Sequence, residues 1–120
     1  VREGRLADCP PSPNCVCTQA GDAAHRMESI PFDGSPGDAM KRLEAVLASQ
    51  PRTTIVTRTE NYPHAEARAR LVRFVDDVEF YVDSRDGVIQ FRSASRVGHS
   101  DFGVNRARMQ EIRRAFEGSP

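Results

Sequence analysis

Val78-Glu79-Phe80-Tyr81-Val82-Asp83-Ser84-Arg85-Asp86-Gly87-Val88-Ile89-Gln90-Phe91-Arg92-Ser93 is the stretch that decides the fold. Val78, Phe80 and Val82 alternate with Glu79, Tyr81 and Asp83, the period of two that gives a strand one apolar and one polar face. Ser84-Arg85-Asp86-Gly87 is a turn sequence, with glycine where a left-handed backbone is wanted. Val88 to Ser93 returns as the partner strand. A connection this short makes the pair antiparallel.

Upstream, Thr53 to Thr59 is rich in β-branched residues and reads as a strand. From Ala65, the residues Ala65, Ala67, Ala69 and Leu71 alternate with Glu66, Arg68 and Arg70. That pattern gives a half-buried strand with a small inner face, against which a helix can lie close. Asp76-Asp77, between Phe74-Val75 and Val78, reads as a tight turn, where aspartate is favoured. Ser35-Pro36-Gly37-Asp38 announces a helix: serine for the N-cap, proline for the first position, aspartate for the positive end of the dipole. Met40, Leu43, Val46 and Leu47 continue it at helical spacing and Pro51 stops it. Met27 to Ile30 reads as a short strand. Residues 1–26 read as an irregular arm, because Cys9-Pro10-Pro11-Ser12-Pro13-Asn14-Cys15 is too proline-rich for a helix or a central strand.

Downstream, a last helix is expected from about Phe102 to Glu117. At 100° per residue, Phe102, Asn105, Met109, Ile112 and Phe116 form one stripe. Asn105 is therefore expected to face inward, and a buried amide needs a specific hydrogen-bond partner. The reading is an α+β domain over residues 27–120, preceded by the arm. It expects an antiparallel sheet of four strands, five with Met27–Ile30, and two helices packed on one face.

The 120 residues suit one domain. Seventeen basic residues balance seventeen acidic ones, which leaves no global field for nucleic acid or an anionic membrane. Tryptophan is absent and aromatics are few, against a base-stacking platform. Every basic residue except Lys41 is arginine; bidentate recognition and a GC-rich genome both produce that bias. No apolar run is long enough to span a bilayer. A targeting segment is expected to precede this sequence, so contact with a membrane is expected only through that missing N-terminal anchor.

Three cysteines cannot all pair within one chain. Cys9–Cys15 as a disulfide would staple an arm without its own core, by about 2–3 kcal/mol, and would imply an oxidising compartment. Free thiols are the second reading. The third is a zinc site of three thiolates with His25, which the C-x5-C-x-C spacing fits poorly because it lacks paired C-x2-C knuckles. No metal or other cofactor is expected.

Arg92 to Arg106 holds the densest chemistry. As a nucleophile site, Ser93 or Ser95 would use His99 as base and Asp101 as orienter, but triads draw their members from distant segments and no G-x-S-x-G elbow is present. As an anion site, Arg92, Arg96 and Arg106 would surround free N–H groups at a helix N-terminus, with Ser93, Ser95, Asp101 and Asn105 alongside and Gly98 and Gly103 admitting close approach. As structure alone, Ser100 or Asp101 caps the helix, the arginines pair with Asp76, Asp77 or Glu79, and Asn105 ties the loop down. The acidic cluster Asp76, Asp77 and Glu79 is also a candidate hard-cation or acid–base site. His64 and Glu66 share a strand face and could share a proton or metal, although a histidine at a strand start is more often a surface residue.

These residues carry a resemblance. Arg73-Phe74-Val75-Asp76-Asp77-Val78-Glu79-Phe80-Tyr81, Arg92 to Gly98, and Ser100-Asp101-Phe102-Gly103-Val104-Asn105-Arg106 resemble the hallmark of the domain-of-unknown-function family numbered fourteen ninety-nine. Cys9-Pro10 with Pro13-Asn14-Cys15-Val16 resembles its N-terminal signature, and Tyr62 with His64-Ala65-Glu66 its central one. The resemblance implies a bacterial or plastid-related protein, commonly exported or anchored by a preceding segment, and implies no reaction or cofactor. Asp76, Asp77, Glu79, Arg92, Ser93, Ser95, Arg96, Asp101, Asn105 and Arg106 match the pattern. Cys17 stands where a small polar residue is expected and His99 where tyrosine is usual, which weakens schemes using either and leaves a Cys9–Cys15 pairing intact. The expectation is a non-enzymatic binding or accessory domain of the periplasm or cell envelope (in a eukaryote, an organelle lumen). Its expected partner is a small anion or an envelope protein. The rival is a metal-dependent or acid–base hydrolase using Asp76, Asp77 and Glu79 with His64 or Asp101.

Overall fold

A computed structural model of the chain describes residues 1–68, 74–96 and 103–119. The elements are β1 (Cys15–Cys17), β2 (Ile30–Pro31), α1 (Pro36–Ser49), β3 (Thr53–Arg58), β4 (Pro63–Arg68), β5 (Val75–Asp83), β6 (Val88–Ser95) and α2 (Val104–Glu117). They form an α+β fold with a six-stranded antiparallel sheet in the order β1-β6-β5-β4-β3, and β2 also pairs with β6. The β5–β6 hairpin is its backbone, from Asp76 opposite Ser95 to Asp83 opposite Val88. Gly87 takes the left-handed conformation expected of it (φ 67°), and the Asp83 carboxylate accepts from the N–H groups of Arg85 and Asp86. Helix α1 begins as expected: the Ser35 hydroxyl accepts from the N–H of Asp38 at 3.1 Å, and Pro36 follows the cap.

The structure departs from the sequence reading at four places. The arm contains a strand: Cys15, Val16 and Cys17 pair with Ala94, Ser93 and Arg92 at the sheet edge, downstream of the prolines that could not have donated there. The expected strand over Met27–Ile30 is reduced to Ile30–Pro31. Asp76-Asp77 is not a turn but the start of β5, paired with Ala67 and Glu66; the partners that make these carboxylates tolerable in a strand come from distant segments. Helix α2 begins at Val104, two residues later than expected, behind Gly103 in the left-handed conformation (φ 79°). The readings made for Ala69, Arg70, Leu71, Gly98, His99, Ser100, Asp101 and Phe102 lie outside the described residues.

One core holds the domain together. Leu43 and Leu47 of α1, Met109, Ile112 and Phe116 of α2, and Val78, Phe80, Val82, Ile89 and Phe91 of the hairpin belong to one buried cluster. Val16 of β1 joins it, so Cys15 and Cys17, one residue to either side, point to the other face of the sheet. There the arm folds back over them. Both cysteines are buried, as is Leu6, whose N–H donates to the Gln19 side chain. Cys9 and Cys15 form a disulfide that closes the proline loop. Replacing both by serine is expected to lower the unfolding free energy by about 2–3 kcal/mol in urea denaturation, with the loss absent when both proteins are compared under reducing conditions.

Candidate functional site

The β5 register sorts the acidic cluster onto two faces. Asp77 and Glu79 share the polar face, while Asp76 points to the opposite side. On the polar face Arg96 grips Asp77 with two N–H groups, at 2.7 and 2.8 Å, and reaches Glu66 at 2.6 Å. His64 Nε2 lies 2.8 Å from the same Asp77 carboxylate, and Arg68 donates to Glu66 at 3.1 Å. Beside this group the Tyr62 hydroxyl donates to Glu79 at 2.5 Å, and Arg92, directly across the ladder, donates to Glu79 at 3.3 Å. Arg92 also donates to the carbonyl of Asp8, which ties the arm to the face.

The electrostatics follow from these contacts. Hydrogen bonds from Arg96 hold the Asp77 carboxyl below the usual carboxylate range, with His64 adding to the effect. The same bond to Asp77, with Glu66 behind it, raises Arg96 still further above neutrality. Burial pushes the Tyr62 phenol up, and the Glu79 carboxylate that accepts its proton pushes it the same way. A histidine backed by an aspartate is two-thirds of a nucleophile-activating relay. Of the two serines considered as nucleophiles, neither completes it: Ser93 lies fully buried on the opposite face and Ser95 accepts from Asn105.

That opposite face carries a second polar cluster, buried among apolar side chains. Asn105 is completely buried, as its place in the helical stripe predicts. Its carbonyl oxygen accepts from Ser93 at 2.6 Å and from Arg108 at 2.8 Å. Its amide donates to Ser95 at 3.0 Å and to the backbone carbonyl of Asn14 at 3.2 Å. Arg108 continues to the buried Asp76 at 2.7 Å. Arg108 was not singled out in the sequence. It stands three residues from Asn105 at the edge of the inward stripe, and the buried carboxylate it neutralises reads as a turn from local sequence.

The three arginines proposed to surround one anion do not converge. Arg92 and Arg96 are spent on carboxylates of the polar face, and Arg106 donates instead to the carbonyls of Ala24 and Arg26 in the arm. Asp101 lies outside the described residues. The zinc arrangement does not form either, since Cys9 and Cys15 are bonded to each other. Cys17 remains a free, buried thiol, pushed up by that burial. Among the described residues no three His, Cys, Asp or Glu side chains gather closely enough to hold a metal ion.

His25 has a structural post instead. Its Nδ1 lies 2.5 Å from the Asp22 carboxylate and its Nε2 2.7 Å from the carbonyl of Ser12, inside the disulfide loop. Both neighbours are acceptors, so both bonds form only when the ring carries two protons. The Ser12 carbonyl and then Asp22 raise the histidine pKa, and the Asp22 carboxyl is correspondingly lowered, chiefly by its bond to His25.

What these features define is a disulfide-stapled α+β domain with one charged sheet face and one buried polar cluster. The chain belongs to the family described as Protein of unknown function (DUF1499), whose model matches residues 5–116. No curated protein and no solved structure matched it.

Two outcomes test this geometry. Asn105→Ala removes an amide that satisfies partners on three segments and is expected to cost about 3 kcal/mol, read from urea denaturation. Because the folded state raises the pKa of His25, its contribution is fully present below the unfolded value near 6.5 and is lost as pH rises through the folded value. The melting temperature is therefore expected to fall across that alkaline interval, and His25→Ala to flatten this part of the profile; an unchanged slope would dismiss the charged clamp.

Proposed function

We propose that the chain is a non-enzymatic binding or accessory domain working in an oxidising compartment of the cell envelope. The observation that carries the reading is that, among the described residues, the candidate carboxylates, Arg92, Arg96 and the two strand serines are already engaged within the chain. Arg92 is taken by Glu79, Arg96 by Asp77 and Glu66, Asp76 by Arg108, and Ser93 and Ser95 by Asn105. A hydrolase built on Asp76, Asp77 and Glu79 would need those carboxylates on one substrate. The strand period sends Asp76 to the other face from Asp77 and Glu79.

Exposed ion pairs contribute little to stability singly, while half-buried networks with bidentate arginine fix geometry. Such a network on β4, β5 and β6 makes a stiff polar platform. The Cys9–Cys15 disulfide, which a reducing cytosol would not sustain, supports the compartment. The assignment is tested by alkylation in intact cells expressing the native protein. Cys9 and Cys15 are expected to resist maleimide until a reductant is added. Labelling of both without reductant would overturn the compartment.

A further inference from the structure

Away from the polar face, the flank of α2 carries a second charged surface. Between that helix and the arm segment runs an open groove of about 650 Å³, bordered by Arg26, Met27, Glu28, Arg106, Gln110 and Arg113. The volume falls within the range of ligand sites, roughly 300–1,000 Å³. Three guanidiniums meet one carboxylate here.

The other two arginines of α2 with carboxylate partners are Arg108, bound to Asp76, and Arg114, bound to Glu111. Among the described residues, Arg26, Arg106 and Arg113 form no ion pair. Arg106 is anchored by the carbonyls of Arg26 and Ala24, at 3.3 and 3.0 Å, and Arg113 by those of Ser29, at 3.2 Å, and Glu28. Carbonyls orient a guanidinium without neutralising it, and each fork keeps further N–H groups for another acceptor. Arg106 and Arg113 are seven positions apart, so they lie on one side of α2 about 10 Å apart along the axis, with Gln110 between them.

We propose that this groove binds an acidic, extended peptide segment of a partner protein. In a polyproline-II-type extended chain, with three residues per turn and about 3.1 Å per residue, carboxylates three positions apart lie on one face and span the separation of the two fixed arginines. Met27, which belongs to the core cluster, adds apolar lining, and the exposed Arg26 adds charge. Arg106 and Arg113 are half-buried along the groove rather than raised on a convex surface, which suits an inserted chain better than a flat lipid layer. The proposal rests on the reading of the chain as a binding domain and is independent of its compartment.

The test uses the whole chain and a fluorescein-labelled peptide with glutamates three positions apart around a leucine, read by anisotropy at low salt. The double variant Arg26→Glu/Gln110→Glu alters the rim without touching the guanidiniums that anchor the arm. It is expected to weaken binding by at least about tenfold at an unchanged melting temperature, and the glutamine version of the peptide is expected to bind the parent chain no better than the variant does. Equal affinity of parent and variant would overturn the groove while leaving a binding domain with its site elsewhere. Capture by phosphatidylglycerol vesicles with no peptide binding would also overturn it, in favour of a membrane surface. The compartment assignment stands or falls separately, by alkylation.

Discussion

The buried amide of Asn105 is the point on which the architecture turns. One side chain holds the last helix to the final strand through Ser93 and Ser95, and to the arm through the carbonyl of Asn14. Apolar contacts would bring these segments together without fixing their register, because dispersion and hydrophobic burial have little directionality. A buried amide has direction. Any slide of α2 along β6 would leave its donors and acceptors unmatched in a medium with no water to replace them. Arg108 adds a second requirement, since Asp76 is tolerated inside only while that guanidinium faces it.

The polar face is organised by a different rule. Its carboxylates and guanidiniums sit at matched ladder positions or one step apart, so the pleat itself brings His64, Asp77 and Glu79 next to Arg92 and Arg96. The arm then covers part of that face, joined to it by Arg92 and stapled by the disulfide. The sheet thus has one face in the buried apolar cluster and a thin polar cover on part of the other.

Much of this was legible in the chain, and the illegible parts share a cause. The β5–β6 hairpin, the cap of α1 and the inward position of Asn105 all follow from spacing and turn chemistry, which are local. Asp76-Asp77 looked like a turn because local preference disfavours aspartate in strands; Arg108 and Arg96, which reverse that preference, come from elsewhere in the chain. Cys15-Val16-Cys17 looked irregular because three residues carry almost no period, and only the free edge of β6 makes them a strand. The positive groove beside α2 was not legible at all, because it depends on where the arm lies against the helix.

The order of pairing has a consequence for how the domain is made. Strand β6 contacts β1, β2 and β5, yet it is the last strand in the chain. Cys15 finds its place only when Ala94 arrives, at a large separation in sequence. Such pairings carry a loop-closure entropy that local contacts do not, and folds rich in them assemble slowly. The Cys9–Cys15 loop, by contrast, closes across a sequence separation of 6 and needs nothing downstream. The covalent loop is therefore local, while the strand it leads into takes its place only with the part of the chain that comes last among the strands.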